Sequence, residues 1–152
     1  MKTKVYLAGA MATYGATDEY PWRWRDNVKQ WFKDNADSFK IISPTDYFRY
    51  GHNYHKTEKE VMRFDLRKVK ESDIILVDLK NIRDSVGTLD EIFYAYLNNK
   101  PIIGFLETEQ AYTPAAEIAN GLHPWIVEQI DRIEGGSDAL EKAMQYIVDY
   151  YG

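Results

Sequence analysis

Short apolar runs of strand length alternate along the chain with longer stretches whose apolar residues recur at helical period. Val5-Tyr6-Leu7-Ala8 is the first such run and stops at Gly9. Trp24, Val28, Trp31 and Phe32 then fall at i, i+4, i+7 and i+8, the stripe of an amphipathic helix. Phe39-Lys40-Ile41-Ile42 reads as a second strand closed by Ser43-Pro44, and the polar, aromatic stretch from Thr45 to Lys56 reads as a long loop. A helix is predicted from about Thr57 to Glu71, with Val61, Met62, Leu66 and Val69 inward. Ile74-Ile75-Leu76-Val77 is apolar at every position, as a central parallel strand buried on both faces would be. After a loop from Asp78 to Gly87, a helix from about Thr88 to Asn99 is predicted to turn Leu89, Ile92, Phe93 and Tyr96 inward. Pro101 to Leu106 forms a fourth strand, its leading proline tolerable at a first position. From Glu107 to Ile133 the pattern weakens to a short helix after Pro114 and a strand within Trp125 to Ile133. Gly135-Gly136 breaks the chain, and Ser137 is placed to cap a last helix lined by Leu140, Met144, Ile147 and Tyr151.

Strands alternating with helices at this spacing predict an α/β fold: a three-layer, doubly wound parallel sheet with flavodoxin-like strand order. In such sheets ligands lie beyond the carboxyl ends of the strands where strand order reverses. Here that crevice falls between Gly9 to Tyr14 and Asp78 to Gly87. No repeat, low-complexity tract or linker interrupts the pattern, so residues 1–152 read as a single domain.

Composition narrows the function classes. Lys and Arg total 19 against 24 for Asp and Glu, a net charge of −5, which argues against a nucleic-acid polymer as partner. The absence of cysteine excludes disulfides, thiolate catalysis and cysteine-ligated zinc. No apolar run approaches the roughly 20 residues of a membrane helix, and the N-terminus leads straight into a strand-like segment. A soluble, cytoplasmic protein with no membrane partner is therefore expected. With 12 Tyr and 4 Trp, the chain carries more aromatic residues than a small core accounts for.

Three segments carry candidate chemistry. Glu91, in Asp84-Ser85-Val86-Gly87-Thr88-Leu89-Asp90-Glu91, would sit in the first turn of its helix, where the dipole and free N–H groups favour a carboxylate. An ordinary N-terminal glutamate is the plainer explanation of that position. Asp65 lies between inward-facing Met62 and Leu66, and an acid against apolar surface tends toward a raised pKa that suits a general acid. A salt bridge to Arg67, Lys68 or Lys70 explains it equally well. Gly9, ending the first strand, would let a ligand approach the backbone closely. Neither a dinucleotide fingerprint nor a P-loop is present.

Taken together, the segments resemble the nucleoside 2-deoxyribosyltransferase family, which includes 2′-deoxynucleoside 5′-monophosphate N-glycosidases. The resemblance runs through Val5-Tyr6-Leu7-Ala8-Gly9, Trp22-Arg23-Trp24-Arg25 and Asp65-Leu66, then Ser72-Asp73-Ile74-Ile75-Leu76-Val77. It continues in Ser85-Val86-Gly87-Thr88, Glu91-Ile92-Phe93-Tyr94-Ala95 and Asn99-Lys100-Pro101-Ile102-Ile103-Gly104, covering roughly residues 4 to 106. It implies that Glu91 attacks the anomeric carbon to form a glycosyl ester, that Asp65 handles the proton on the leaving base, and that Tyr6 lies near both sugar and nucleophile. Gly9 and Gly87 correspond to backbone approaches to the ligand. Ser85 falls where transferases carry an acid that holds the sugar 5′-hydroxyl, and where the monophosphate-cleaving branch carries a serine on the phosphate. That branch's second phosphate-binding serine has no clear counterpart, Thr113 and Asn120 being the nearest polar residues.

The physics of the reaction fits two carboxyl groups in different surroundings. Loss of a nucleobase leaves an oxocarbenium-like sugar that one carboxylate can trap, and the base departs readily only when protonated by another acid. No metal or other cofactor is expected, and His52, His55 and His123 show no ligand spacing. Trp22, Trp24, Tyr47, Phe48 and Tyr50 would overhang the crevice; core packing is favoured for Trp24, while base stacking and subunit contact stay open for Tyr47 to Tyr50. Arg23 and Arg25 would hold a phosphate or pair with Asp18, Glu19 or Asp26. The expected partner is a small nucleoside or nucleotide, and the resemblance implies a homo-oligomer, with the C-terminal Asp149-Tyr150-Tyr151-Gly152 a candidate for packing on a neighbour. Three readings follow: a deoxyribosyltransferase first, a 5′-monophosphate N-glycosidase second, and a non-catalytic nucleotide-binding module third.

Overall fold

The computed structural model of the protein describes residues 2–11, 14–15, 17–49, 52–53, 56–108 and 121–152. Among these, five strands form one parallel sheet: β1 (Thr3–Ala8), β2 (Phe39–Ile42), β5 (Ile74–Asp78), β6 (Ile102–Glu107) and β7 (Arg132–Gly136). Their order is β2-β1-β5-β6-β7, the flavodoxin-like arrangement, with strand order reversing between β1 and β5. Val5 pairs with Ile41 on one side and Ile74 on the other. β5 is the central strand, and all five of its residues are buried.

Helices cover both faces because alternate strand residues point to opposite sides. Val5, Leu7, Ile74, Leu76 and Phe105 pack beneath α1 (Tyr20–Asn35) and α5 (Ala139–Tyr151). Tyr6, Ala8, Ile75, Val77 and Leu106 pack beneath α2 (Glu58–Glu71), α3 (Val86–Leu97) and α4 (Pro124–Gln129). Thr57 opens α2 through a capping box with Glu60, which satisfies two otherwise free N–H groups. The stretch from Thr45 to Lys56 contains more order than a loop: a 3₁₀ turn at Pro44–Asp46 and an antiparallel ribbon of β3 (Phe48–Arg49) and β4 (His52–Asn53).

Several expectations are corrected. Trp125 belongs to α4 rather than a strand, and the Gly135-Gly136 pair closes β7 instead of breaking the chain, pairing with Leu106 and Glu107. An edge strand that pairs Arg132 with Glu134 has no apolar alternation to announce it. Asp138, not Ser137, precedes α5, with no side-chain cap bond. The short helix expected after Pro114 lies outside the described residues. On α2 only Val69 is fully buried, and Met62 is half exposed. On α3 the buried residues are Thr88, Glu91, Ile92 and Ala95, while Phe93 and Tyr96 are each 50% exposed. Both helices carry a wider apolar surface than the sheet covers.

Candidate active site

The reversal between β1 and β5 leaves a cavity of about 510 Å³ at the carboxyl edge of the sheet. That volume lies within the range of small-molecule sites. Gly9 and Met11 enter it from the end of β1, Arg25 from α1, Pro44 from the turn after β2 and Asp65 from α2. Ser85, Gly87, Thr88 and Glu91 line it from the start of α3. A smaller cavity of about 180 Å³ shares Val61, Asp65, Gly87 and Glu91 and runs on between α2 and α3 past Met62 and Leu66. Val61, Met62 and Leu66, expected to be core on α2, thus line a cavity.

Glu91 lies in the second turn of α3, not the first, because the helix begins at Val86 rather than Thr88. The N-terminal dipole acts mainly within the first turn. Burial governs Glu91 instead: it is 9% exposed and its pKa is pushed up to about 8, chiefly by desolvation, with the charge of Asp65 adding to the rise. Tyr6 opposes that rise by donating its hydroxyl to Glu91 Oε2. The Tyr6 phenol is itself held well above its ordinary value by burial and by the adjacent carboxylates, so it stays a donor.

Asp65 is half-buried and its pKa rises to about 6, for the same reason of lost hydration. The salt bridge proposed for it goes elsewhere, since Arg67 and Lys68 both pair with Glu71. Ser85 shares a hydrogen bond of 2.6 Å with Thr88, two hydroxyls held side by side where α3 begins. In front of Gly87 there is open space, so its missing side chain widens the cavity.

Gly9 has a different explanation from ligand approach alone. A Cβ there would lie 3.1 Å from both Asp78 Cβ and Trp24 Cζ2, so the protein's own packing around this position is tight and favours glycine. Arg23 is exposed on α1, its guanidinium 6.0 Å from the Tyr20 ring, and lies outside the lining of both cavities. Tyr47 packs edge-on against Phe64 at 4.7 Å and is also outside that lining. Trp24 is core, edge-on to Phe105 at 5.3 Å. Asn120, Thr113 and Tyr50 lie outside the described residues, as does the side chain of Phe48.

Two groups are buried that the sequence did not place so: Arg25, expected to hold a phosphate or pair with Asp18, Glu19 or Asp26, and Asp78, expected only as one end of the crevice loop. Arg25 is 0% exposed, and Asp78 at the end of β5 is nearly so. Burial pushes the Asp78 pKa up to about 6, against hydrogen bonds from the Lys80 amide at 3.0 Å and the Tyr20 hydroxyl at 2.9 Å. A signal for Arg25 exists: it falls four residues after Pro21 and three before Val28, on the buried stripe of α1 itself. Asp78 follows an unbroken apolar run, the position at which a parallel strand delivers its last residue to the ligand edge.

Fold and site define an α/β protein with a cavity at its topological switch point, walled by acids on two helices. The chain belongs to the nucleoside 2-deoxyribosyltransferase family, whose sequence pattern matches residues 5–145. Among solved structures, a 2-desoxiribosyltransferase from Leishmania mexicana is similar over 99% of each chain, at 16% identity and a TM-score of 0.69. A 2-deoxyribosyltransferase from Bacillus psychrosaccharolyticus is similar over 86% of this chain and 85% of that one, at 19% identity and a TM-score of 0.61. A CMP N-glycosidase from Clostridium botulinum matches over 97% of this chain and all of the other, at 17% identity and a TM-score of 0.53. At these identities the likeness is one of fold. No curated protein sequence matches the chain. No helix among the described residues is long and apolar enough to cross a membrane.

Proposed function

We propose that the protein cleaves the N-glycosidic bond of a deoxynucleoside through an ester on Glu91 and transfers the sugar to a second base. The observation that carries this reading is the hydrogen bond from Tyr6 to Glu91 inside a cavity that Asp65 also lines. A buried carboxyl group with a polar donor fixed on one oxygen is oriented for attack through the other. In the first half-reaction the bond from the anomeric carbon to the base breaks, the ester to Glu91 forms, and a proton passes from Asp65 to the departing ring. In the second, the ring nitrogen of an incoming base displaces Glu91 and returns a proton to Asp65. Burial raises both acids, Asp65 to about 6 and Glu91 to about 8, so near neutrality a single proton rests mainly on Glu91 and the reacting form, with Glu91 ionised and Asp65 protonated, is the minor one.

Asp84 and Ser85 bear on the acceptor and the 5′ end of the substrate. Both line the larger cavity. The Asp84 carboxylate suits a free 5′-hydroxyl and would repel a phosphate, which supports the transferase. The paired Ser85 and Thr88 hydroxyls at the start of α3 favour the second reading, a 5′-monophosphate N-glycosidase with water as acceptor.

A homo-oligomer is part of the proposal. Val86, Phe93 and Leu97 run along one exposed side of α3, beside Tyr96 and the 76% exposed Trp125 of α4, from the cavity mouth outward. A second copy covering this stripe would bury apolar surface that water now meets.

Incubation with deoxyinosine and adenine, and separately with dGMP, tests the reading. Deoxyadenosine and hypoxanthine are expected from the first mixture. Deoxyribose 5-phosphate from dGMP without base exchange would install the N-glycosidase in its place, and ligand binding without any turnover would leave only a nucleotide-binding module.

A further inference from the structure

Among the described residues Arg25 is the one fully buried cation, and no carboxylate lies within ion-pair distance of it. Backbone carbonyls hold it instead. Its Nη1 donates to the Pro21 carbonyl at 2.8 Å and its Nη2 to the Gly9 carbonyl at 3.0 Å, and the guanidinium lies 4.6 Å over the Trp24 ring. The side chain starts from α1 on one face of the sheet and reaches the cavity on the other by crossing the end of β1 at Gly9. The guanidinium lies beside Gly9, close enough that a Cβ there would touch Arg25 Nη2 at 3.4 Å.

We propose that Arg25 is a positioning residue, a fixed cation shared by the Glu91–Asp65–Tyr6 group on one side of β1 and the Asp78–Tyr20 group on the other. A guanidinium neutralised by one carboxylate would have little field left for the rest. Pinned by carbonyls, its charge acts on every acid around it, and burial leaves that field weakly screened. The titratable groups that feel its charge are Tyr6 from β1, Glu91 from α3, Asp65 from α2, Asp78 from β5, Tyr20 from α1 and Tyr14 ahead of that helix. In each of the three carboxyl groups Arg25 works against desolvation, favouring the ionised form. Arginine keeps its charge at any working pH even though burial lowers its own pKa. Its role in the reaction rests on the proposed function: Arg25 lets a desolvated Glu91 ionise without touching the sugar.

The test is a ¹³C-carboxyl NMR titration of the intact protein, with Glu91 and Asp65 signals assigned from E91Q and D65N, alongside the pH profile of kcat/KM. In R25M the Glu91 titration is expected to move up by roughly one pH unit or more, and R25K, which keeps the charge, to recover most of that shift. R25Q retains a donor for the Gly9 carbonyl and replaces R25M if the latter does not fold. D78N, which leaves Arg25 in place, reads the sharing from the far side and is expected to lower the Glu91 titration. Unmoved titrations in R25M or R25Q, or in D78N, would overturn the proposal, as would an R25K shift equal to that of R25Q. The NMR readout needs no turnover, so an inactive wild type would count against the proposed function while leaving this inference standing.

Discussion

The Tyr6 hydroxyl donates to the Glu91 carboxylate across 85 residues of sequence, joining the second half of the first strand to the second turn of α3. Tyr6 is buried, and Glu91 opens only onto the cavity. Burial raises the Glu91 pKa, and the bond works against that rise, since hydrogen bonding to the ionised form favours it. Tyr6→Phe is expected to raise the Glu91 pKa further and to lower kcat/KM about 10- to 100-fold, with the fold unchanged because only one oxygen is lost. Steady-state rates for Y6F against wild type read this directly; an unchanged rate would detach Tyr6 from the nucleophile.

Glu91→Gln should abolish turnover by orders of magnitude, since an amide cannot form and release the glycosyl ester. It should also alter stability in a pH-dependent way. The folded pKa of Glu91 lies above its unfolded value, so between about pH 4.5 and pH 8 the unfolded chain loses a proton that the folded chain keeps, and stability falls as pH rises. Removing the group lifts that penalty. Thermal melts of E91Q and wild type should nearly coincide at pH 5 and differ in favour of E91Q by more than about 1 kcal/mol at pH 8. A variant less stable than wild type at pH 8 would contradict the burial argument.

Asp65 and Glu91 bracket neutrality, at about 6 and about 8, and each carboxylate raises the other's pKa or is raised by it. Between those values the pair holds one proton, and the reaction needs that proton on Asp65 with Glu91 ionised. A bell-shaped dependence of kcat/KM with its maximum near pH 7 is expected, its limbs belonging to the pair rather than to either acid. D65N should remove the alkaline limb. A profile flat from pH 5 to 9 would mean that these acids do not govern the rate.

The exposed side of α3 gives a solution test. Phe93→Glu combined with Trp125→Glu places charge on two residues that are 50% and 76% exposed and touch the same groove. Sedimentation should report a smaller species than the wild type, with little loss of monomer stability because neither side chain belongs to the core. Identical sedimentation of the two proteins would move the subunit contact elsewhere or remove it.

How much of this was legible beforehand depends on what periodicity measures. The apolar run at Ile74–Val77 announced a doubly buried strand because no polar residue could occupy either face of it. The alternation of elements then left few topologies, and the switch point placed the crevice between the stretches that begin at Gly9 and at Asp78. Periodicity also grouped Val61, Met62 and Leu66 correctly on one side of α2, but that side faces a cavity. The same signal grouped Phe93 and Tyr96 with the core, and they face outward, since apolarity does not distinguish a core from a contact surface.

The order of strands and the place of the crevice belong to the sequence, because each follows from local pattern and chain connectivity, whereas Glu91 and Asp65 are singled out from plainer explanations only by the family resemblance. Arg25, Asp78 and the meaning of Gly9 belong to the tertiary structure. A charge can be buried only where distant backbone carbonyls and neighbouring charges make up for lost water, and that compensation is assembled from β1, α1, α2, α3 and β5 together. No window of sequence contains all five.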